Sequence, residues 1–489
     1  MEIIPGNLVL HFFEAKGIKR NKMEMLVLEE VVRAVHGRLT TDTDKALKIS
    51  GISRDSKSVK PGDLFVAIKG ERHDGHDYIE QAMNAGAVGA VVSRDIACNA
   101  GRKNFMVIRV NDTVTALGAL AKYYRSKLSA KIVGITGSNG KTTTKEMVSH
   151  LLSCFGPTAR SQKSYNNFIG VPLSIFEIEN KHQYGVLELG TNAPGEIRYL
   201  SEISNPHVAV IVTVTKTHLE GLGSIEGVAR AKGEILEGLS KGGTFVYNFD
   251  NPWCVKLARA FKGKSSGFGF NPCAQIKCTD VKKNDDGYVI VINGYLEVRL
   301  PVSGHHNINN CLAAFAVCHA LGHDIRAVKD AMASFKLPPM RMEQQHIGKI
   351  TVINDAYNAN PESVRAALRY FNELPVAGKK VFVCGDMLEL GSESPQLHRE
   401  IGELVARLHI DVLWTVGDRA GEIAKGAKMA GMPEERVVNF HNVADISVSE
   451  AGSIRENDTV LIKGSRGMQM ENIVEKFKEY FLKQEATRN

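Results

Sequence analysis

The 489-residue chain holds no C-x-x-C pair among its eight cysteines, Cys98, Cys154, Cys254, Cys273, Cys278, Cys311, Cys318 and Cys384. That excludes a zinc ribbon and a disulfide framework and fits a reducing, cytoplasmic setting. No apolar run approaches the roughly 20 residues that span a bilayer. The first residues lack a basic stretch ahead of their apolar part, so no signal peptide is read. The net charge is +7 and the pI about 8.8, yet basic residues do not gather into long runs. Nucleic acid is therefore not an expected partner, whereas small anionic substrates suit a mild positive excess. There is no internal repeat and no low-complexity tract.

What remains is 43% hydrophobic and 24% charged, the composition of an ordinary globular protein. At about 150 residues per domain, this length predicts about three domains. Residues 1–24 stand apart as a poorly ordered extension or an upstream start, because the better-patterned beginning is "MLVLEEVVRAVHGRL" from Met25. Residues 25–128 read as mixed α/β. Residues 129–336 contain the strands "YGVLELG" and "HVAVIVTVT", the helix "GSIEGVARAKGEILEGL" and a hairpin in "YVIVINGYLEVRLPV". After the prolines of "KLPPMRME", residues 337–489 alternate strand and helix. Strands that end in Gly or Asp and run into helices predict a parallel, doubly wound sheet. The fold class is α/β, with a central P-loop ATPase-like sheet and a Rossmann-like C-terminal unit.

The stretch "KIVGITGSNGKTTTKEM" is the most informative. A strict G-x-x-x-x-G-K-[ST] loop needs glycine where Ile135 stands, and G-x-G-x-x-G fails at the same residue. The physical parts are nevertheless present: an apolar β-branched strand, a glycine-rich turn and a helix start. Backbone N–H groups and a helix dipole converge there on one point that favours phosphate. Lys141 would reach the β- and γ-phosphates and the Thr142 hydroxyl would ligate Mg²⁺. An ATP site is the reading.

Other polar residues stand where open sheets collect ligands, beyond the strand ends. Glu188 closes "YGVLELG", where an ATPase places a metal-binding carboxylate, and His218 follows "VAVIVTVTKT". For each alone, a loop hydrogen bond is the plain alternative. Lys232 falls in the middle of the apolar stripe formed by Ile225, Val228, Ile235, Leu236 and Leu239. It either snorkels out along its stem or is a desolvated, nucleophilic amine. Such an amine adds carbon dioxide and becomes a metal-binding carbamate. "GHHNINN" sets His306, Asn307 and Asn310 at a helix start, where capping is the competing role. In "NDAYNANPES", capping accounts for Asn360 before Pro361, but not for Asp355, Tyr357 and Asn358 beside it.

Together these segments resemble the Mur ligases from Met25 onward. The resemblance rests on "GITGSNGKTTTKEM", "NNFIGVPLS", "LELGTNAPGEI", "THLEGLGSIEGVARAKGEI", "GHHNINN", "NDAYNANPES", "GDMLELG" and "KGSRG". It implies that Gly137, Ser138, Asn139, Gly140, Lys141, Thr142 and Thr143 cradle the ATP phosphates. Lys141 would lie on the γ-phosphate, with Thr142, Glu188, His218 and a carbamylated Lys232 around a pair of Mg²⁺ ions. Lys141, Lys232, His218 and Glu188 form the implied catalytic group. Asn307, Arg341 and Asp355 would contact the nucleotide, the last two from the third block. Ser53, Arg54 and Asp55 would bind the UDP moiety, and Asn166 and Asn167 the sugar-peptide. Tyr357, Asn358, Lys463, Ser465 and Arg466 would hold substrate, the last three at the incoming dipeptide. In two respects the chain departs from the family: residues 1–24 have no counterpart, and His305 stands where arginine is frequent.

The resemblance points to the branch that joins D-alanyl-D-alanine to UDP-N-acetylmuramoyl-tripeptide through an acyl phosphate, as a monomer. The amino-acid-adding sister would carry a "DNPR"-type motif, and this chain has none. Folylpolyglutamate synthase typically continues its loop G-K-G-S. An ATP-hydrolysing switch module leaves two further α/β blocks and the UDP-like segment unexplained, and a dehydrogenase is not expected because no G-x-G-x-x-G follows any strand.

Overall fold

The structure, a computed structural model, describes residues 23–41, 44–96, 105–162, 165–447, 450 and 452–488. Residues 1–22 of the N-terminal extension and Cys98 lie outside the described residues. Three sheets carry the fold, with a small antiparallel pair, Leu26–Val27 against Lys48–Ile49, beside them.

The first sheet has five strands in the order Arg38–Leu39, Met106–Arg109, Gly89–Val92, Asp63–Val66 and Gly51–Ser53. Its last four strands are parallel. The helix Thr113–Ser126 follows and ties this sheet to the next. Tyr124 Oη donates to the Ile178 carbonyl at 2.7 Å, and the buried Arg125 donates to the carbonyls of Ser204, Leu128 and Asn205. One apolar core therefore runs continuously from the first sheet into the helices on one face of the second.

The central sheet has nine strands. Seven are parallel, in the order Ile276–Asn284, Lys264–Gly269, Thr244–Asn248, Val208–Ile211, Lys131–Thr136, Tyr184–Glu188 and Thr158–Arg160. The expected hairpin, Gly287–Ile292 with Leu296–Leu300, extends one edge in antiparallel fashion. The inner strands are apolar at nearly every position because helices cover both faces. The helices Lys141–Leu152 and His306–Ala320 share a second core on the face opposite the first. The helix expected from Ser224 is shorter than its pattern: α-helix covers Ile225–Gly233, and a 3₁₀ turn, Glu234–Leu236, completes it.

The third sheet orders its strands Glu343–Ile347, Ile350–Asp355, Thr459–Lys463, Lys380–Gly385, Val412–Val416 and Val437–Phe440. All neighbours are parallel except the first pair. The sequence pattern had located its core strands. It had not located the edge strands "EQQHI" and "VVNF", whose solvent-facing positions remove the continuous apolar signal. Among the described residues no helix is long and apolar enough to cross a membrane.

The third sheet docks onto the second through side chains that also have local duties. Asn360 caps the helix Pro361–Glu373 by accepting from Ser363 N–H at 3.0 Å. Its Nδ2 donates to Asn139 Oδ1 at 2.6 Å, and Asn139 Nδ2 donates back to Asn360 Oδ1 at 3.2 Å. Lys216 pairs with Glu393 at 2.7 Å across the same seam. Asn360→Ala is expected to lower stability by about 1 kcal/mol through the lost cap. Asn360→Ser restores a capping oxygen but not the amide pair with Asn139. Thermal melting of both variants checks this, with Asn360→Ser melting closer to the parent protein.

Candidate active site

The strand Lys131–Thr136 is flanked on both sides by parallel strands, so its carboxyl end opens into the crevice above the sheet. The chain turns there through Gly137–Gly140. Gly140 has φ +81°, and a Cβ on it would lie 2.4 Å from Asn310 Oδ1 and 2.9 Å from Val212. Only glycine fits that position. The helix Lys141–Leu152 starts at once, and the loop and first turn line a cavity of about 700 Å³. Ser138 fixes the loop from below: its Oγ donates to the Thr215 carbonyl at 3.0 Å and accepts from Thr215 N–H at 2.9 Å. Unpaired helix N–H groups and the dipole make this wall attractive to phosphate.

Around the loop the side chains form one connected chain. Arg341, from the approach to the third sheet, donates to Thr142 Oγ1 at 2.8 Å. Thr142 Oγ1 donates to Glu188 Oε2 at 2.8 Å, and Asn166 Nδ2 donates to Glu188 Oε1 at 2.9 Å. The Arg341 guanidinium lies 4.2 Å from the Tyr357 ring centre, which orients it by cation–π attraction. Lys141 Nζ donates to the Gly137 carbonyl at 2.8 Å. Burial pulls the Lys141 ammonium below its ordinary pKa, Glu188 opposes that, and Arg341 adds to it. An arriving anion relieves this charge crowding.

The cavity also gathers Thr143, Asn167, His218, Asn307, Asp355, Asn358, Lys463 and Arg466. Asp355 and Lys463 form an ion pair at 2.5 Å, and the Lys463 ammonium also donates to the Asn358 carbonyl at 3.0 Å. Asn307 Nδ2 donates to Ser303 O at 2.6 Å, and its Oδ1 accepts from Asn310 Nδ2 at 2.8 Å. Arg466 pairs with Glu471 at 2.7 Å.

Six sequence-nominated residues do not line this cavity, and one of them is Gly137, just ahead of the lining part of the loop. Ser465 is buried beside it; its Oγ accepts from Leu388 N–H at 2.9 Å and donates to Ala359 O at 3.3 Å. Ser53, Arg54 and Asp55 form a turn at the end of Gly51–Ser53 in the first sheet, where Lys57 N–H donates to Asp55 Oδ1 at 3.0 Å. Lys232 is the sixth. It does not snorkel: it is 1% exposed and has no hydrogen-bond or ion-pair partner among the described residues. Burial first, then the nearby Lys141, push its pKa well below the ordinary lysine value. Its buried neighbour Cys254 has its thiol pKa pushed up to about 12.

Two functional contacts had no decisive signal in the sequence. His218 has φ +52°, and its Nδ1 meets Glu389 Oε2 of "GDMLELG" at 2.5 Å, which leaves Nε2 as the ring nitrogen not taken up by that contact. Asn360 looked like a cap and nothing more. Partners 171 and 221 residues apart are set only by the way the third sheet docks.

Among the described residues no three His, Cys, Asp or Glu side chains stand close enough to hold a metal. The Thr142 hydroxyl and Glu188 carboxylate are hard oxygen donors, a set that suits Mg²⁺ completed by phosphate and water.

A phosphate loop at a sheet crevice, closed over by a second α/β sheet, defines a nucleotide-dependent enzyme. The chain belongs to the Mur ligase family: residues 135–318 match the Mur ligase middle domain, 340–466 the Mur ligase glutamate ligase domain, and 48–125 the Mur ligase family catalytic domain. Its curated relatives include the UDP-N-acetylmuramoyl-tripeptide–D-alanyl-D-alanine ligase of Bacillus subtilis, 34% identical over 91% of this chain and 97% of that one. The Escherichia coli enzyme of the same name is 34% identical over 88% and 94%. Among solved structures, MurF from Acinetobacter baumannii superposes with a TM-score of 0.84 at 31% identity, covering 94% and 99% of the two chains. MurF from Thermotoga maritima in complex with ADP superposes at 0.77 and 28% identity, covering 88% and 98%.

The unpartnered Lys232 has a thermodynamic signature. A lysine whose folded pKa is depressed binds fewer protons folded than unfolded. Stability therefore rises with pH between the depressed pKa and about 10.4. Lys232→Met is expected to flatten this slope and to raise stability near pH 7 by about 1–3 kcal/mol. Denaturant titrations across pH in bicarbonate-free buffer check both.

Proposed function

We propose that this chain is an ATP-dependent amide-bond-forming ligase that joins D-alanyl-D-alanine to UDP-N-acetylmuramoyl-tripeptide for peptidoglycan synthesis. One observation carries the reading. The phosphate loop, Glu188 and the Asp355–Lys463 pair line a single cavity, so an activated carboxylate and an incoming amine meet beside the γ-phosphate.

The tripeptide's terminal carboxylate attacks the γ-phosphorus and ADP leaves, giving an acyl phosphate. The free amine of the dipeptide attacks the acyl carbon, loses a proton, and the tetrahedral centre expels inorganic phosphate. This chain positions the reactants and stabilises charge. The Gly137–Thr143 loop holds the phosphates, and Lys141 follows the negative charge onto the transferring group. Asn307 and Arg341 steady the nucleotide. Thr142, Glu188 and His218 would hold Mg²⁺, which would supply positive charge against the developing phosphate charge. Lys232, unpaired and with its amine favoured over its ammonium, adds carbon dioxide to give a carbamate and a proton.

Ser53, Arg54 and Asp55 are proposed to bind the uridine diphosphate, with Asn166, Asn167, Tyr357 and Asn358 along the sugar-peptide. Lys463 and Arg466 take the dipeptide, supported from behind by Ser465. The proposed domains are residues 25–128, 129–336 and 337–489, acting as a monomer in the cytoplasm.

Phosphate release from ATP is measured with each substrate alone and with both. Release that needs both, with a product heavier by the dipeptide, is expected. Release indifferent to both replaces the ligase reading with an ATP-hydrolysing switch. Lys141→Ala is expected to reduce acyl-phosphate formation by at least about 10²–10³-fold, and positional exchange within ATP at the parent rate contradicts its role. Lys232→Ala is expected to be nearly inactive and partly restored by a small added carboxylate, whereas full turnover removes the carbamate.

A further inference from the structure

Lys145 is among the largest fully buried side chains in the molecule, at 0% exposure. It lies one helical turn beyond Lys141 and three residues after Thr142, on the helix that begins the phosphate site. Its ammonium donates to the Ser161 carbonyl at 2.8 Å and meets Glu146 at 3.1 Å; Glu146 also takes Arg160 at 2.7 Å. A buried lysine is a poor choice for stability alone, since an apolar side chain of similar volume serves as well or better.

The position of Ser161 gives the lysine a purpose. Ser161 is itself fully buried and continues the strand Thr158–Arg160, its N–H donating to Val186 O at 2.9 Å. Its hydroxyl accepts from the backbone N–H of Glu188 at 3.2 Å. The same chain runs on to Asn166, which grips the Glu188 carboxylate, and whose carbonyl accepts from Gly190 N–H at 2.8 Å. Thr142 and Lys145 thus reach Glu188 from the same helix, one directly and one through Ser161.

We propose that Lys145 is a positioning residue that acts through Ser161 to fix Glu188 in register with the phosphate loop. This rests on the proposed role of Glu188 as a metal-holding carboxylate. Lys145 tethers the end of the edge strand to the helix. Without the tether, Ser161 loses its fixed distance from Thr142, and the carboxylate loses its aim.

The test is direct metal binding. Mn²⁺ affinity in the presence of ADP is read from the paramagnetic resonance of the free ion, alongside Mg²⁺-dependent turnover. Lys145→Met is expected to weaken Mn²⁺ binding by about 10–100-fold, the usual size for residues behind a metal ligand. Its kcat should fall comparably, with little change in KM for the dipeptide. Ser161→Ala keeps the carbonyl that Lys145 uses and removes only the hydroxyl, so a smaller shift in the same direction is expected. The double variant should be no worse than Lys145→Met, because both act along one path. If Lys145→Met does not fold, Ser161→Ala decides alone. Parental Mn²⁺ affinity in folded Lys145→Met or in Ser161→Ala overturns the proposal, as do additive effects. Glu188→Gln separates the two claims: parental Mn²⁺ affinity in that variant removes the role of Glu188 itself. Weakened binding there, with Lys145→Met unaffected, removes only the positioning role.

Discussion

The hydrogen-bond chain from Arg341 through Thr142 to Glu188 is the constraint on which the rest of the site depends. It joins three parts of the sequence that share no local structure: the approach to the third sheet, the first turn after the phosphate loop, and the end of a neighbouring strand. Each link is a charge-assisted contact at or beside a helix N-terminus, where such contacts are strong. The chain also explains why the third sheet closes where it does. Arg341 reaches Thr142 while Asn360 pairs with Asn139 and Glu389 holds His218, so the docking of the third sheet and the shape of the phosphate site rest on the same contacts.

Two lysines are kept at this centre at an energetic disadvantage. Lys141 is crowded by Arg341, and Lys232 lies buried without a partner. Both are unfavourable without a ligand; phosphate would relieve Lys141, and the proposed carbamate would remove the buried charge of Lys232. Such local frustration belongs at functional sites, where the sequence serves chemistry instead of packing. Asp355 and Lys463 differ, because they neutralise each other in place and give the third sheet a fixed dipole facing the cavity.

Much of this was legible in the sequence because it is local. The loop announced itself by strand, glycines and helix start within 17 residues. Lys232 was legible because a helical stripe fixes which way a residue faces. The strand ends named Glu188 and His218 because open parallel sheets collect ligands there. What escaped is what tertiary docking decides: Glu389 on His218, Asn360 on Asn139, and Ser161 under Glu188. The helix from Ser224 was overrun for a different reason. Its apolar spacing continues past Gly233, but the backbone tightens into a 3₁₀ turn that keeps the same face inward. The edge strands of the third sheet escaped because half of each faces water.

The acyl phosphate is the central species of the proposed reaction, since ATP and the acceptor carboxylate form it and the amine then consumes it in the same cavity. The decisive measurement supplies UDP-N-acetylmuramoyl-tripeptide labelled with ¹⁸O in its terminal carboxylate, together with ATP and D-alanyl-D-alanine, and weighs the inorganic phosphate released. Transfer of a label oxygen into phosphate, matched to amide formed, is the predicted result. Unlabelled phosphate accompanying amide formation contradicts the mechanism.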